Sequence, residues 1–259
     1  MRNTSLASYG YSSQWIITVF MVLFAVNFNL YFYVVRGDIK SALQSEELHV
    51  FLGIVFCAIA IITFDIWHMY GSIMDAVRLS AFQVSSIIST TGFTTADYDA
   101  WPVLSKLVLF IIMFLGGCAG STAGGLKTSR IVVLFKTIRA ELNRLLRPRR
   151  AQSLRIEGKP IEAETVKSIS IFFAIYIAIF VVLVFLVTLI ERVDAVTSFG
   201  AAAACLNNVG PGFALVGPSK SYALFTPLTK IILSFAMLIG RLEVYPILLT
   251  LSLRTWHEK

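Results

Sequence analysis

The sequence predicts an all-α membrane protein, on the strength of its composition, of apolar stretches of spanning length and of two glycine-centred loops. Of the 259 residues, 57% are hydrophobic and 14% are charged, whereas soluble domains carry roughly 25% charged residues. The stretches Trp15 to Val35, Val50 to Trp67 and Ile169 to Ile190 have about the 17 to 25 residues that a spanning helix needs. Water-soluble folds are therefore excluded.

The charge distribution predicts the orientation of these helices. The connection 127–167 carries eleven Lys and Arg residues against four Glu residues, a net +7 that equals the excess of the whole chain. Such basic connections belong on the cytoplasmic side of a membrane. Topology alone explains the charge, so no nucleic-acid partner is expected.

With the basic connection inside, the elements of the first complete unit follow in order. The stretch Trp15 to Val35 runs inward, and Val50 to about Tyr70 runs outward. A short helix near Ala76 to Ile88 then dips back to a loop at Thr90 to Phe93, and the chain descends again from about Pro102. Both glycine loops are expected to open toward the outside.

A second unit repeats this plan with Ile169 to Ile190, a re-entrant stretch Ala195 to Leu206 and a helix from Tyr222 to about Leu253. Ser86 to Gly92 superposes on Ala204 to Gly210 at an offset of 118 residues, and the residues after the loops superpose at an offset of 124. The sequence thus predicts an internal repeat.

Only the last helix of a preceding unit precedes these two, because Met21 aligns with Met113 and Met237. The predicted divisions are 1–48 for that helix and its link, 49–150 for one pore repeat and 151–259 for the next. A pore around one axis needs about four such loops. Either an N-terminal half with two further loops is missing, or other chains complete the ring.

The two loops have the form of an ion-selective filter. A stretch of about 13 residues that ends at glycine cannot cross the hydrocarbon, and irregular backbone at that depth must line a cavity or lie buried in protein. A tight external turn between two short helices is the alternative. Glycine permits the backbone angles that aim carbonyls at a dehydrated cation. The predicted ion ligands are the main-chain carbonyls of Thr90, Thr91, Gly92, Phe93, Asn208, Val209 and Gly210.

A glycine-rich segment, Gly116 to Gly125, interrupts the descending helix of the first complete unit. It holds five glycines in ten residues, and each costs a helix about 1 kcal/mol relative to alanine. We therefore expect an irregular loop beneath the filter, roughly 20 Å below the outer surface at 1.5 Å per residue. A phosphate-binding loop is excluded, because Leu126 separates Gly125 from Lys127 in the required pattern.

Two charged residues, Arg241 and Glu243, lie in the last apolar helix. An arginine near the bilayer centre usually faces protein or water and has a partner. Arg241 aligns with Gly117, so we expect it to contact carbonyls of the glycine segment and hold that segment across the pathway. A purely structural pairing with a carboxylate is the alternative.

Four motifs together resemble the Trk/Ktr/HKT superfamily of potassium uptake proteins, and the Trk branch in particular. They are Ser89 to Thr95, Gly116 to Lys127, Asn207 to Gly212 and Gly240 to Glu243. The chain looks like the C-terminal half of such a protein. The resemblance implies four tandem helix–pore helix–filter–helix repeats in one channel-like pore, of which this chain holds about two and a half. It also implies an intramembrane gating loop opposed by Arg241, with Gly116, Gly117, Gly120, Ser121, Thr122, Gly124, Gly125 and Lys127 as its residues.

The resemblance further implies K⁺ as the transported ion, with no covalently bound cofactor and no enzymatic activity. The implied location is the bacterial inner membrane. The implied partners are a second copy of the chain and a cytosolic ring of nucleotide-binding regulatory subunits of the TrkA type, docked on the basic face.

A cation-coupled secondary transporter with discontinuous helices is the alternative function. Inverted repeats are its expected sign, whereas the two units here run in the same orientation. A membrane enzyme is a third possibility, and the sequence lacks clustered His, Cys or carboxylate residues on which to build its site.

Overall fold

The computed structural model describes residues 6–146, 155–156 and 159–242. These residues form ten α-helices and one short antiparallel hairpin, whose strands are β1 (Arg155–Ile156) and β2 (Lys159–Pro160). The helical fold predicted from composition is confirmed, and the hairpin lies within the basic connection.

The first apolar stretch is broken into two helices, α1 (Tyr11–Ala25) and α2 (Phe28–Val35), which meet at an angle of 94°. Val26 has an extended backbone, and the side chain of Asn27 caps α2 by accepting from the amide of Asn29 at 2.9 Å. The expectation of one continuous helix from Trp15 to Val35 is therefore wrong. Asn27 is a preferred N-cap residue, but it stands within a continuous apolar run, so the run alone predicts no break there.

The next elements are the short helix α3 (Ile39–Leu43) and the long helix α4 (Glu46–Tyr70). Among the described residues, α4 and a later helix, α8 (Ala163–Glu191), are long and apolar enough to cross a membrane, and the bent pair α1–α2 counts as a third span if taken together. Each long helix ends at a residue with a left-handed backbone, Gly71 after α4 and Arg192 after α8.

Two shorter helices, α5 (Ile73–Ile88) and α9 (Ala195–Leu206), lie within the bundle. Helix α5 packs against α1, α4 and α6, and α9 packs against α6, α8 and α10. Helix α9 has the predicted bounds, whereas α5 begins three residues before the predicted Ala76. Most of their side chains are buried, so both helices are held by packing on several sides.

The helices that follow the two glycine-centred loops are α6 (Val103–Phe114) and α10 (Pro227–Leu242), and α7 (Thr128–Leu146) follows the glycine segment. A 3₁₀ turn immediately precedes each of α6 and α10, at Tyr98–Ala100 and Tyr222–Leu224, and a further 3₁₀ turn, Ala214–Val216, follows the second loop. The sequence predicts a last helix from Tyr222 to about Leu253. It begins instead at Pro227, and its predicted part beyond residue 242 lies outside the described residues, as does Glu243.

A chain of aromatic side chains ties the two units together. Ring centroids lie 5.3 Å apart for Tyr98 and Phe213, 6.1 Å for Phe213 and Phe110, 5.3 Å for Phe110 and Phe114, and 5.0 Å for Phe114 and Phe180. All four contacts have edge-to-face geometry, which adds to the stabilisation from burial. This core fixes the 3₁₀ turn Tyr98–Ala100 and α6 against α8 and the loop after α9.

Candidate functional site

The two glycine-centred loops begin with the same backbone turn. After α5, the amide of Thr90 donates to the Ile87 carbonyl at 3.0 Å, and the amide of Thr91 donates to the Ser86 carbonyl at 2.9 Å. This pair of bonds is the Schellman arrangement, which satisfies the last carbonyls of a helix.

The same pair of bonds follows α9. The Asn208 amide donates to the Cys205 carbonyl at 3.1 Å, and the Val209 amide donates to the Ala204 carbonyl at 2.9 Å. Each donor and each acceptor lies 118 residues after its counterpart. The two loops therefore leave their helices along equivalent paths.

Left-handed backbone angles recur at matching positions of the two loops. The φ angle is +54° at Thr90 and +77° at Gly92 in the first loop, and +58° at Asn208 and +104° at Gly210 in the second. Asn tolerates this region, but the β-branched Thr90 is a true outlier. Such strain persists only where surrounding contacts hold it, and it concentrates at functional sites.

The loops contact each other at Gly92. A Cβ added there would clash with the carbonyl oxygen of Val209 and would lie 3.3 Å from Cδ of Pro211. A Cβ on Gly210, by contrast, would meet no atom within 4 Å. Gly92 is thus required by both its backbone angle and its neighbours, and Gly210 by its backbone angle.

Five of the seven predicted carbonyl ligands have no hydrogen-bond donor among the described residues: those of Thr90, Thr91, Gly92, Asn208 and Val209. The other two are bonded. The Ser86 hydroxyl donates to the Phe93 carbonyl at 2.6 Å, and the Tyr222 hydroxyl donates to the Gly210 carbonyl at 2.9 Å. The five open carbonyls can accept a cation without losing an internal bond.

The second loop is braced by its asparagine side chains. Asn207 is fully buried, where its Oδ1 accepts from the Tyr176 hydroxyl at 2.6 Å and its Nδ2 donates to the Ala203 carbonyl at 2.9 Å. The Nδ2 of Asn208 donates to the Met237 carbonyl at 3.0 Å. Both asparagine side chains therefore brace the loop, and the sequence gives no signal for Tyr176, which lies in an apolar helix.

The C-terminal end of the second loop is held by the turn that precedes α6. The Tyr98 hydroxyl donates to the Gly212 carbonyl at 2.8 Å, and the Ala214 amide donates to the Asp99 carboxylate at 3.2 Å. Burial raises the pKa of the Asp99 carboxyl above its usual range. One unit therefore positions the loop of the next.

The glycine segment is irregular, as the sequence predicts, and it folds back on itself. The Gly116 amide donates to the Leu126 carbonyl at 2.8 Å, and the Thr128 amide donates to the Gly117 carbonyl at 3.1 Å. Within the segment, the Ser121 hydroxyl donates to the Cys118 carbonyl at 2.6 Å. The residues at the two ends of the segment therefore lie side by side.

The segment lies directly against both loops. The Gly124 amide donates to the Thr90 hydroxyl at 2.8 Å. A Cβ on Gly124 would lie 2.8 Å from the Asn207 carbonyl oxygen, and one on Gly125 would lie 3.2 Å from Asn207 Oδ1. A side chain at Gly124 would collide with this backbone oxygen, and Gly125 has a left-handed backbone with φ of +70°, which accounts for glycine at both positions.

Further contacts fix the segment to the end of α1. The Cys118 amide donates to the Ala25 carbonyl at 2.8 Å, and the Thr122 hydroxyl donates to the Phe24 carbonyl at 3.2 Å. The Gly120 carbonyl in turn accepts from the Phe28 amide at 3.3 Å. These bonds satisfy the backbone groups that the break between α1 and α2 exposes. Lys127 closes the segment by donating to the Ala123 carbonyl.

One contact of the segment was not anticipated. The carboxylate of Glu47, in the first turn of α4, accepts from the Ala119 amide at 2.7 Å and from the Ser129 amide at 2.9 Å. An acidic residue at a helix start is commonplace in sequences. Its partners lie 72 and 82 residues away, so sequence alone carried no signal for them.

The expected contact of Arg241 with the glycine segment is not formed in this structure. Within residues 6–146 and 159–242, the exposed Arg241 side chain makes no hydrogen bond or ion pair. Its neighbour Gly240 packs so closely on the end of α9 that a Cβ would clash with the Leu206 carbonyl. The gating role of Arg241 therefore stays a prediction, and Glu243 lies outside the described residues.

Comparison with known proteins gives concordant matches. A family model described as TrkH, cation transport protein, matches residues 1–257. The chain is 34% identical to the Trk system potassium uptake protein TrkG of Escherichia coli (strain K12), covering 99% of this chain and 53% of that protein. It is also 34% identical to the Trk system potassium uptake protein TrkH of the same organism, with 99% and 54% covered.

A solved structure matches as well. The crystal structure of the potassium transporter TrkH from Vibrio parahaemolyticus superposes with a TM-score of 0.89 at 31% sequence identity, covering 98% of this chain and 55% of that chain. The chain thus spans about half the length of the curated relatives it matches.

Proposed function

This chain belongs to the TrkH family of cation transport proteins, and from that membership we propose that it translocates K⁺ across a membrane through a channel-like pore. In this proposal α5 and α9 are pore helices, and the loops after them form two parts of a selectivity filter. The ligands are the main-chain carbonyls of Thr90, Thr91, Gly92, Phe93, Asn208, Val209 and Gly210.

The observation that carries the proposal is the set of five open carbonyls on two equivalent loops. A filter of this kind replaces the hydration shell of the ion with carbonyl oxygens. Helices α5 and α9 both end at these loops, and the partial negative charge of a helix C-terminus favours a cation there. The contact between Gly92 and Val209 also disfavours the alternative of a simple external turn.

Equivalent positions along the two units support the proposed repeats. Helices α6 and α10 begin 124 residues apart, at Val103 and Pro227. Lys106 donates to the Asp99 carbonyl at 3.2 Å, and its counterpart Lys230 donates to the Ala223 carbonyl at 3.1 Å. We assign 1–48 to the last helix of a preceding repeat, and 49–150 and 151–259 to two pore repeats. Two further filters, on an N-terminal half or on other chains, would complete the ring of four.

We assign the glycine segment to gating, because it lies under both loops and is bonded to Thr90. Arg241 would oppose it in another conformational state. A second copy of the chain and a cytosolic regulatory ring of the TrkA type are the proposed partners, with the basic connection 127–167 as the docking face. The proposed location is the bacterial inner membrane, with the loops opening outward.

Rubidium uptake tests the proposal, in proteoliposomes that hold the chain together with the half that completes the length of its relatives. Gly92→Ser should abolish uptake, because the side chain collides with the Val209 carbonyl and strains the backbone. Gly53→Ser is the matched control, since a Cβ on Gly53 meets no atom within 4 Å. Equal uptake by both variants would contradict the filter assignment.

The breaks at α1–α2 and at the glycine segment favour a second candidate, a cation-coupled transporter with discontinuous helices. The two mechanisms differ in driving force. A pore needs only the electrochemical gradient of K⁺, so uptake should persist when the sodium and proton gradients are collapsed. Uptake that stops with one of those gradients would support the coupled transporter.

A further inference from the structure

Glu47 contacts two elements that have different roles in the proposed function: the glycine segment, assigned to gating, and α7, which belongs to the proposed docking face. The Ala119 amide belongs to the glycine segment, and the Ser129 amide belongs to the first turn of α7. Both amides donate to the same oxygen, Oε1. Any shift of α7 relative to α4 therefore acts on the oxygen that also holds the segment.

Hydrogen bonds to a carboxylate are stronger than those between neutral groups. The Ser129 amide lies at the start of α7, where the positive end of the helix dipole adds to the attraction. The Ala119 amide lies in irregular backbone, where no carbonyl of a helical turn accepts its hydrogen bond. Glu47 thus gives the segment an attachment that is independent of the loops and of α1.

Helix α7 is itself attached to the neighbouring helices by separate contacts. Lys136 pairs with Glu46 at 2.6 Å, and Arg130 lies 4.2 Å from the ring centroid of Phe172. Glu46 and Glu47 are adjacent, yet only Glu47 contacts both α7 and the segment among the described residues. Glu46 can therefore serve as the control for substitutions of Glu47, since each is a carboxylate in the first turn of α4 that contacts α7.

We propose that Glu47 is a positioning residue that couples the place of α7 to the place of the glycine segment. The inference rests on the proposed gating function of that segment. Helix α7 forms the first part of the basic connection 127–167, so a partner that moves this helix also moves Ser129. Loss of the bond from Ser129 leaves the Glu47 carboxylate with one of its two backbone anchors, so the carboxylate no longer holds Ala119 in a fixed place and the segment can move from beneath the loops.

The first experiment compares Glu47→Ala with Glu46→Ala in rubidium uptake by the intact protein in its membrane, normalised to the amount present. Losing the charge-assisted bonds should shift the local opening equilibrium by about tenfold, so Glu47→Ala should raise uptake several-fold. Glu46→Ala breaks the Lys136 pair alone and should leave uptake unchanged. A merely structural role for Glu47 would lower uptake, and that result would overturn the proposal.

The second experiment does not depend on transport. Hydrogen exchange of peptides spanning 116–125 should accelerate about tenfold in Glu47→Ala, while Glu47→Gln, which keeps an acceptor oxygen, should restore most of the protection. Ser129→Pro removes the α7 donor at a first-turn position where proline is tolerated. Because proline also restricts Thr128, which bonds to Gly116 and Gly117, unchanged protection of a peptide covering Thr128 is the check that the start of α7 keeps its place. Ser129→Pro should accelerate exchange of the peptides spanning 116–125, although Ser129 makes no bond to them.

These readouts separate two kinds of failure. If the unaltered protein carries no rubidium, the proposed function fails, and hydrogen exchange still tests the coupling. If Glu47→Ala does not fold, Glu47→Gln and Ser129→Pro test it instead. Unchanged exchange in Ser129→Pro, or equal effects of Glu46→Ala and Glu47→Ala, would overturn the coupling.

Discussion

Thr90 is the residue at which the loops and the glycine segment meet. Its backbone is left-handed at φ +54°, and its hydroxyl accepts from the Gly124 amide. Asn208, its counterpart in the other loop, adopts the same backbone with less steric cost. A β-branched residue is tolerated here because the hydroxyl contact offsets part of the strain.

Thr90→Val should therefore destabilise the fold while keeping the side-chain shape. It leaves the Gly124 amide without an acceptor in a buried place, which costs about 1–3 kcal/mol. Thr90→Ser, which keeps the hydroxyl, is the control, and its unfolding temperature should lie close to that of the unaltered protein. Thermal unfolding in detergent measures both. Identical midpoints for Val and Ser would show that the hydroxyl contact contributes little.

Two tyrosines make a second comparison at the residue scale. Tyr222 donates to the Gly210 carbonyl, a proposed ion ligand, whereas Tyr98 donates to the Gly212 carbonyl, which is not one. Removing the Tyr222 hydroxyl alters the field strength of the ligand. Since a neutral hydrogen bond contributes about 0.5–1.5 kcal/mol, Tyr222→Phe should change the rubidium-to-sodium preference by about two- to tenfold.

Tyr98→Phe serves as the control for that measurement, which is uptake of the two ions in competition. It should lower stability without changing the preference, because its partner carbonyl lies two residues beyond the last proposed ligand. A shift of equal size in both variants would mean that the tyrosines act on loop position alone.

At the scale of elements, the sequence predicts most accurately those helices whose bounds depend on residues close to them in the chain. The bounds of α9 follow from a cap at Asp194 and an apolar run that ends before Asn207, and both signals lie within a few residues. The break between α1 and α2 was missed, because the carbonyls of Phe24 and Ala25 find their donors in the distant glycine segment. Long-range backbone bonds leave no periodic trace in a sequence.

The same contrast holds for the candidate site. Gly92 and Gly210 were identifiable, because positive φ angles favour glycine and their surroundings repeat. Glu47 was not, because a carboxylate at a helix start has a local explanation whatever else it bonds. The partners of Arg241 were inferred from alignment with Gly117, and alignment does not report which way a side chain extends.

Helix α9 provides a test of element stability with a defined pH dependence. The Asp194 carboxylate accepts from the Thr197 hydroxyl at 2.7 Å and from the Thr197 amide at 3.1 Å. The hydroxyl contact in particular lowers the pKa of the Asp194 carboxyl below its usual value. Because the folded-state pKa is the lower one, the ionised carboxylate stabilises the fold above the unfolded pKa, and this contribution is lost on acidification.

Asp194→Ala should therefore cost about 1 kcal/mol of stability at neutral pH, the usual effect of losing an N-cap. The difference from the unaltered protein should shrink as the pH falls below about 4, the ordinary pKa of aspartate. Unfolding midpoints measured across that range check the sign. A difference that grows on acidification would contradict the capping role.

At the scale of the whole molecule, the arrangement of charge and apolar surface is that of a membrane protein. Helices α4 and α8 carry large exposed apolar side chains such as Phe64 and Phe185, which a bilayer or further protein would cover. The chain spans about half the length of its curated relatives. The basic connection and the glycine loops lie at opposite ends of the helices in the proposed topology.

That topology predicts sidedness that labelling can measure. Arg144→Cys, near the end of α7, should react with a membrane-impermeant thiol reagent only in inside-out vesicles, because basic connections stay in the cytoplasm. Lys220→Cys, in the loop before α10, should react only in right-side-out vesicles. Both are made in a Cys57→Ser background, since Cys57 is an exposed thiol. Labelling of both positions from the same side would overturn the re-entrant course of α9, because the loop after a re-entrant helix must return to the side from which that helix entered.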